Sequence, residues 1–447
     1  MHILIDSGSY HCLNVGDVAM LQIGVERLRS LWPDASIAAV TNAPETLARH
    51  CAGVQPVPLV GRVVFLSDRL FGRADQFFPR AIRETLGRVQ EHVRRDWPSG
   101  LGALIAAKRA LTLRQDFAAP RAYVNAVKRA DLVVGTGAGV FADAFVENAM
   151  GVLATLEFAQ KQHVPTALMA HGMGPVSDAA LKRHMARVLP RLTLMTLREH
   201  RESMRLIKSL GMARDHVAVT GDDAVELANR RARPQLGDAI GVNVRVAAYA
   251  GVGGSAIDVI RPAVHRAAGL LAAPLVPVPI AHHPNCHDGI AIQSVLAGYR
   301  NAPVPFMELN TPAKAIDQVS RCRIVVTGSY HAAVFALAQG IPAVALTATP
   351  YYVNKFSGLA ELFPGGCEMV ALSDPDPAIA LESAIGRAWA NAPLLREPLL
   401  RAARGQIDTA RAAYRRLASL VSVVRPAVLA DAARHVESEY GRSATGA

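Results

Sequence analysis

The residues best suited to proton transfer and anion binding stand where strands of a predicted parallel sheet end. They are His171, Arg198, Arg245 and the run Ser329, Tyr330 and His331. The next helix begins at such positions, and its free backbone N–H groups and dipole favour an anion. An Arg holds a carboxylate or phosphate through two parallel hydrogen bonds, and a His transfers protons near neutral pH. The pattern therefore predicts an anion-binding site in which His331 is the acid.

The segment that carries His331 reads as a strand, a turn, a helix and a second strand. Ile324-Val325-Val326 predicts the first strand, a helix is predicted from about His331 to Gln339, and Ala343–Leu346 predicts the next strand. Gly340-Ile341-Pro342 divides this uncharged stretch into pieces too short to span a bilayer. We interpret the segment as a soluble core unit, with Lys355 on a loop after it as a second substrate-binding cation.

The start of the chain predicts a strand at His2–Ile5 and a helix from about Val18 to Leu31. Asp17 is placed to cap this helix, and the turn Asn14-Val15-Gly16 allows backbone to approach a ligand. An ordinary capped turn and a ligand contact by Asn14, Gly16 and Asp17 both fit the pattern.

Two further turns carry groups that often meet phosphate or metal. Gly135-Thr136-Gly137-Ala138-Gly139 follows a predicted strand, but its spacing is not the full dinucleotide fingerprint, so NAD binding is not favoured.

The tract His282–Asp288 holds three His, one Cys and one Asp, which are types that bind zinc. Because these residues crowd one loop, we prefer a polar loop facing a cleft, with His282 or His283 touching ligand. Asp222-Asp223 is interpreted as a helix cap. No metal site is predicted.

Composition limits the classes of function. The chain has 447 residues, 51% hydrophobic residues and a formal charge of +11, which suits two domains and an anionic partner. Few aromatic residues and no basic-aromatic motif argue against nucleic acid. Five scattered cysteines and a start without a signal-peptide pattern predict a cytoplasmic protein.

Strand and helix patterns alternate in both halves, which predicts two doubly wound Rossmann-like α/β domains facing across a cleft. The predicted domains are residues 1–229 and 238–395, with a mostly helical, Arg-rich insertion at about 65–128 and C-terminal helices over 396–447. The insertion contains the apolar-basic run Leu101–Leu111. A solvated insertion and an arm that touches a membrane surface or acceptor lipid both fit this run.

A series of short motifs resembles the polysaccharide pyruvyl transferase family, whose members transfer the pyruvyl group of phosphoenolpyruvate to a sugar as a ketal. In the family's order they are Asn14–Asp17, Gly135–Gly139, His171–Pro175, Leu197–Ser203, Gly221–Ala224 and Thr327–His331.

The resemblance covers most of the chain and implies a GT-B-like fold, a terminal helix crossing back to the first domain, and a glycan or lipid-linked acceptor. It also implies that His331 is catalytic and that no cofactor is needed. Together, the resemblance and the positions in the predicted elements make substrate-binding candidates of Asn14, Gly16, Asp17, Gly137, His171, Arg198, Arg245, His282, Ser329, Tyr330 and Lys355.

One Arg of the family, in an R-x-x-x-S setting, is attributed to substrate binding. Here Arg198 or Arg201 could be its equivalent, and Arg198 lies nearer the predicted strand. The chain departs from the family at Ser329, two residues before the His, where the family pattern usually has Arg. This departure leaves two alternatives open, a GT-B nucleotide-sugar glycosyltransferase and a non-catalytic carbohydrate-binding relative. Peripheral membrane contact and a homo-oligomer also remain open.

Overall fold

A computed structural model describes residues 1–67, 80–111, 117–247, 250, 254–284, 287–299 and 308–443. Two parallel sheets organise these residues. The first contains β1 (His2–Ile5), β2 (Ser36–Thr41), β3 (Gln55–Pro58), β4 (Leu132–Thr136), β5 (Thr166–His171), β6 (Leu194–Leu197) and β7 (Val217–Val219). The second contains β8 (Ala239–Asn243), β9 (Leu275–Pro277), β10 (Cys322–Thr327), β11 (Ala343–Thr347) and β12 (Cys367–Ala371).

Helices cover both faces of each sheet. The first half of the chain forms α1 (Val15–Leu31), α2 (Pro44–His50), α3 (Leu59–Ser67), α4 (Arg80–Asp96), α5 (Pro98–Leu111), α6 (Ala119–Arg129), α7 (Val146–Lys161), α8 (Ala179–Val188), α9 (Arg201–Ser209) and α10 (Ala224–Asn229). The second half forms α11 (Gly254–Leu270), α12 (Asp288–Leu296), α13 (Pro312–Val319), α14 (Tyr330–Ala338), α15 (Pro350–Leu362) and α16 (Pro377–Ser443). Within the described ranges, no helix combines the length and apolar character needed to cross a membrane.

The strand orders are those of doubly wound folds. The first sheet runs β3-β2-β1-β4-β5-β6-β7, and the second runs β12-β11-β10-β8-β9. Strand order reverses between β1 and β4 in the first sheet and between β8 and β10 in the second. Ligands of open α/β sheets bind at such points, outside the carboxyl ends of the strands. The fold class predicted from the alternating pattern is confirmed.

The long helix α16 contacts both halves of the molecule. Near its start, Leu381 and Ala384 are in the core around the second sheet. Farther along, Tyr414 and Leu417 pack in the core of the first sheet with Ile3 and other residues of β1 and β4. Tyr414 Oη also donates a hydrogen bond of 2.8 Å to Asp223 Oδ2. One helix therefore spans both cores.

Three local expectations differ from the structure. Helix α1 begins at Val15, and its N-cap is Asn14, whose Oδ1 accepts hydrogen bonds from the backbone N–H groups of Gly16 and Asp17. The prediction that Asp17 caps this helix is therefore wrong. Lys355 lies inside α15 rather than on a strand-end loop, because that helix starts at Pro350.

The sequence also predicts strands at Leu275–Ile280 and Phe306–Leu309. The first ends at Pro277 in the structure. Most of the second lies outside the described residues, as do parts of the 65–128 insertion and of the tract His282–Asp288.

Candidate active site

A cavity of about 680 Å³ lies where the strand-order reversals of the two sheets face each other. The loop after β1, the turn after β4 and Arg198 line it from the first half of the chain. Arg245, the start of α14 and the start of α15 line it from the second half. The site is therefore complete only when the two halves are together.

A short antiparallel bridge between Asn14 and Ala281 joins the halves beside this cavity. The Val15 N–H donates to Ile280 O at 2.9 Å, and the His282 N–H donates to Leu13 O at 2.8 Å. Asn14 thus caps α1 and lies in the bridge, which fixes the start of α1 against the second half.

His331 occupies the first turn of α14 and is buried against the start of α1. Its Nε2 lies 3.6 Å from Asp222 Oδ2, and its Nδ1 lies 3.9 Å from Asp17 Oδ1. Each ring nitrogen therefore has a carboxylate nearby at ion-pair distance, although neither distance is a close hydrogen bond. Asp17 lines the cavity, so the Nδ1 edge of the ring lies beside a cavity-lining carboxylate.

Gly16 forms the surface against which the His331 ring packs. A Cβ added at Gly16 would lie 2.0 Å from Cγ of His331 and 2.2 Å from its Nδ1. No side chain fits there without displacing the ring. Gly16 is predicted to bind substrate but does not line the cavity, and its observed role is to leave room for the His331 ring, which no local pattern indicates.

Arg198 reaches the cavity from the end of β6 and is paired with Asp222. Its Nε lies 3.1 Å from Asp222 Oδ2 and donates to Ala170 O at 3.0 Å. Burial is the largest single influence and opposes the charged guanidinium, but Asp222 and smaller contributions from neighbouring acidic groups together raise the pKa of Arg198. Burial likewise opposes the charged carboxylate, yet Arg198 and then His331 keep the pKa of Asp222 below its usual value. The Asp222 carboxylate therefore faces both Arg198 and His331.

Lys355 enters the cavity from α15 in the other half. Its Nζ lies 4.3 Å from the centroid of the Tyr351 ring and 5.6 Å from that of Tyr330. Burial and the neighbouring charge of Arg198 lower the pKa of Lys355 to about 7. A bound anion would stabilise the protonated form of Lys355, because its negative charge offsets the effect of burial.

Arg245 follows β8 and pairs with the buried Asp288. The distance from Arg245 Nε to Asp288 Oδ1 is 3.2 Å. The other carboxylate oxygen of Asp288 accepts from Asn243 Nδ2 and from the backbone N–H groups of Ile280 and Ala281, each at 2.9 Å. This network fixes the direction of Arg245, which lines the cavity.

Ser329 and Tyr330 form the start of α14 at the cavity wall. Ser329 is the N-cap residue of α14, and its backbone N–H donates to Thr327 Oγ1 at 2.8 Å. The guanidinium of Arg198 lies 5.3 Å from the Tyr330 ring centroid. The helix N-terminus and the cations Arg198 and Lys355 therefore point into one space.

Four of the predicted substrate-binding residues do not line the cavity, and Gly16, described above, is one of them. Gly137 is buried, and a Cβ there would lie 1.7 Å from Cε of Met20. His171 is fully buried beside Phe141, with ring centroids 5.2 Å apart, and burial followed by the charge of Arg198 lowers its pKa to about 3. His282 turns its ring toward His287, with 3.1 Å between Nδ1 and Nε2, while the neighbouring His283 lines the cavity.

The remaining predicted residues, Asn14, Asp17, Arg198, Arg245, Ser329, Tyr330, His331 and Lys355, do line it. Arg201, the alternative to Arg198, lies on α9 with a side chain that is 59% exposed and faces Glu361 at 3.5 Å. Of the two candidates, Arg198 is therefore the one that lines the cavity.

Sequence reasoning missed several residues that line the cavity. Tyr351 and Tyr352 stand next to Lys355, and Tyr10, His11 and Asn148 line the wall formed by the first half. Asp222 was treated as a cap, and it does accept from the Ala224 N–H at 2.8 Å, but its second oxygen faces Arg198 and His331.

Among the described residues, no group of three or more His, Cys, Asp and Glu side chains is placed to hold a metal. In the tract considered for zinc, Asp288 is engaged by Asn243 and Arg245, and His287 Nδ1 accepts from the Gly289 N–H at 2.9 Å. Asn285 and Cys286 of that tract lie outside the described residues.

Comparisons with known proteins agree with this architecture. The sequence model of the family described as polysaccharide pyruvyl transferase matches residues 14–349. A comparison with curated protein sequences found no significant match. A solved structure of UDP-GlcNAc 2-epimerase from Neisseria meningitidis, bound to UDP-GlcNAc, has a TM-score of 0.52 and 13% identity, covering 96% of this chain and 100% of that chain. An S. aureus MnaA–UDP structure has a TM-score of 0.50 and 11% identity, covering 90% of this chain and 94% of that chain. At these identities the likeness concerns the GT-B-like fold alone.

Proposed function

The chain belongs to the polysaccharide pyruvyl transferase family and is a transferase, and from that premise we propose that it moves the pyruvyl group of phosphoenolpyruvate onto two hydroxyls of one sugar. The observation that carries this proposal is the position of His331. It lies at a helix N-terminus, between two carboxylates, in a cavity lined by Arg198, Arg245 and Lys355.

The cations account for donor binding. Phosphoenolpyruvate carries a carboxylate and a phosphate on one carbon, and it needs positive groups on two sides. Arg198 and Lys355 come from opposite halves and would hold these groups together with the free N–H groups of α14. Arg245, which Asp288 orients, would supply the positive charge that Ser329 does not.

His331 would donate the proton that starts the reaction. Transfer from its Nδ1 to the methylene carbon C3 leaves a cation at C2, and the oxygen of the first sugar hydroxyl forms a bond to that carbon. Phosphate then leaves with the electron pair of its C–O bond, and the second hydroxyl oxygen bonds to C2 to close the ketal. Of the two hydroxyl protons, one restores His331 and the other leaves with phosphate. Asp17, which lines the cavity beside Nδ1, is placed to pass the first of them.

The acceptor would lie against the wall formed by Tyr10, His11 and Asn148. These groups and Tyr351 offer aromatic faces and neutral hydrogen-bonding atoms, which suit a sugar. Phosphoenolpyruvate would then bind on the side of the cavity that carries the Arg and Lys side chains. The acceptor would bind on the side formed by Tyr10, His11 and Asn148.

A nucleotide-sugar glycosyltransferase is the second candidate, because Ser329 stands where the family pattern has Arg. The same cations and the N-terminus of α14 would then hold the diphosphate of the donor.

A binding screen followed by a turnover assay tests both candidates. Purified full-length protein is melted with phosphoenolpyruvate, with UDP and UDP-sugars, and with inorganic phosphate, each well above a plausible Kd. We expect phosphoenolpyruvate to raise Tm more than phosphate does. A panel of glycosides with free diols is then incubated with phosphoenolpyruvate, and we expect phosphate release together with the mass gain of a pyruvyl ketal. A Tm shift with UDP-sugars and none with phosphoenolpyruvate would overturn the proposal in favour of the glycosyltransferase.

A further inference from the structure

Helix α5 of the insertion has an outward face made only of apolar residues. Its buried side packs Leu101, Ile105 and Ala106 against the rest of the molecule. Soluble helices place polar residues opposite such a stripe. On α5 the residues exposed along the opposite side are Ala103, Leu104, Ala107, Ala110 and Leu111. Leu104 is 49% exposed and Leu111 is 86% exposed.

Trp97 extends this face beyond the first turn of α5. It is 59% exposed, and a Cβ added at Gly100 would lie 2.0 Å from its ring, so the indole lies over the start of the helix. Trp97, Leu104 and Leu111 are spaced seven residues apart, which places them along one side of a helix. We call the surface formed by Trp97, Leu104, Ala107 and Leu111 the apolar face of α5.

Positive charge surrounds this face. The insertion at 65–128 contains twelve Lys and Arg and six Asp and Glu, a net charge of +6, whereas the whole chain has a formal charge of +11. The insertion thus carries about half of the net positive charge. Lys108 lies next to the apolar face in α5, and Lys128 of α6 donates from Nζ to Ser99 Oγ at 2.8 Å, beside the first turn of α5.

We propose that the apolar face of α5 docks onto an anionic membrane surface. Two contributions hold an amphipathic helix in the headgroup region. Exposed Leu and Trp side chains bury apolar surface, and neighbouring Lys and Arg side chains are attracted to anionic lipid. Basic residues near the bilayer add about 1 kcal/mol each on anionic lipid, and Trp favours the interface because one edge is apolar and the other can hydrogen-bond. A second copy of the chain fits less well, because two faces surrounded by positive charge repel each other.

Helix α3 leads into the insertion, packs against α6 and is held to the wall of the cavity. Arg62 of α3 donates to Asp6 Oδ2 at 2.9 Å, and Tyr10 Oη donates to Asp6 Oδ1 at 2.8 Å. Tyr10 lines the cavity. If the reaction proposed above is correct, docking would therefore bring the cavity near a lipid-linked acceptor. The docking itself does not depend on that reaction.

Vesicle binding tests the proposal. Full-length protein is sedimented with vesicles of phosphatidylcholine alone and with vesicles containing phosphatidylglycerol. We expect binding to the anionic vesicles, a blue shift of tryptophan emission that is lost in Trp97→Phe, and weaker binding at high salt. The double variant Leu104→Glu/Leu111→Glu should lower the partition coefficient at least about tenfold, equivalent to about 1.4 kcal/mol.

A matched control carries the same substitutions on other helices. Leu270 and Leu394 are 78% and 77% exposed, on α11 and α16. Leu270→Glu/Leu394→Glu should bind anionic vesicles as the unmodified protein does. Both double variants should keep the Tm shift with phosphoenolpyruvate, which separates this proposal from the one on function. The docking proposal fails if the unmodified protein does not bind anionic vesicles, if both double variants lose binding equally, or if Leu104→Glu/Leu111→Glu instead dissociates a dimer.

Discussion

Replacing Gly16 by Ala tests the central arrangement of the site, the packing of His331 against the start of α1. The added Cβ would lie 2.0 Å from Cγ of His331, whereas two carbon atoms in contact need about 3.5 Å. The ring or the helix must therefore move by about 1.5 Å, and a misplacement of about 1 Å can cost a factor of about 10² in rate. We expect turnover to fall at least about 10²-fold.

In the Gly16→Ala variant, affinity for phosphoenolpyruvate should fall much less than the turnover rate does. The atoms nearest to the added Cβ belong to His331 rather than to Arg198, Arg245 or Lys355, so the Tm shift with phosphoenolpyruvate should remain. The matched control is Gly386→Ala in α16, where an added Cβ meets nothing within 4 Å and a helical Ala is favoured by about 0.5–1 kcal/mol over Gly. Phosphate release and ketal formation are measured for both variants with the same acceptor. Normal turnover in Gly16→Ala would refute the assigned position of His331.

Three further outcomes are expected. His331→Gln should keep the Tm shift with phosphoenolpyruvate while turnover falls about 10²-fold or more, the usual loss for a positioned acid, and normal turnover would make His331 a structural residue. The pKa of Lys355 is lowered to about 7, so its charge is present below that pH and is lost above it. Affinity for phosphoenolpyruvate, measured by calorimetry, should therefore fall as pH rises from 7 to 9, over which the phosphate is already fully ionised with a second pKa of about 6. Lys355→Arg should abolish this fall, and an equal fall in that variant would exclude Lys355 as its cause. Tyr414→Phe removes the hydrogen bond to Asp223 and should lower the free energy of unfolding in urea by about 1–2 kcal/mol. Its affinity for phosphoenolpyruvate should be unchanged, and a parallel loss of affinity would contradict a purely stabilising role.

The strands were predictable because their buried, β-branched runs are local signals. Ala343–Thr347 and Leu132–Thr136 are buried at every position, as parallel strands covered on both faces should be. The residues at which helices begin were less predictable. Asn14 rather than Asp17 caps α1, because both residue types cap helices and only the backbone geometry selects between them. Pro350 at the first position of α15 was a usable signal for an earlier helix start, and it would have placed Lys355 inside the helix.

Contacts between the two halves were not predictable from one sequence. The sequence predicts that one residue of Asp222-Asp223 caps the next helix, and Asp222 does accept from the Ala224 N–H. Its second oxygen pairs with Arg198 and faces His331, which belongs to the other half. His171 does stand at the end of a strand, yet Phe141 and the turn after β4 cover it. Spacing along the chain places a residue at an edge of a sheet, and the packing of neighbouring loops decides whether it reaches the cavity.

The path of α16 has a consequence for how the protein is made. Tyr414, Leu417 and Val421 complete the core that contains Ile3 and Ile5, although more than four hundred residues separate them in sequence. During synthesis, domains generally fold from the N-terminus as they emerge. The first sheet of this protein must wait with an uncovered apolar surface until nearly the whole chain has left the ribosome. We therefore expect nascent chains that end before α16 to depend on chaperones, and we expect C-terminal truncation to unfold the N-terminal half first.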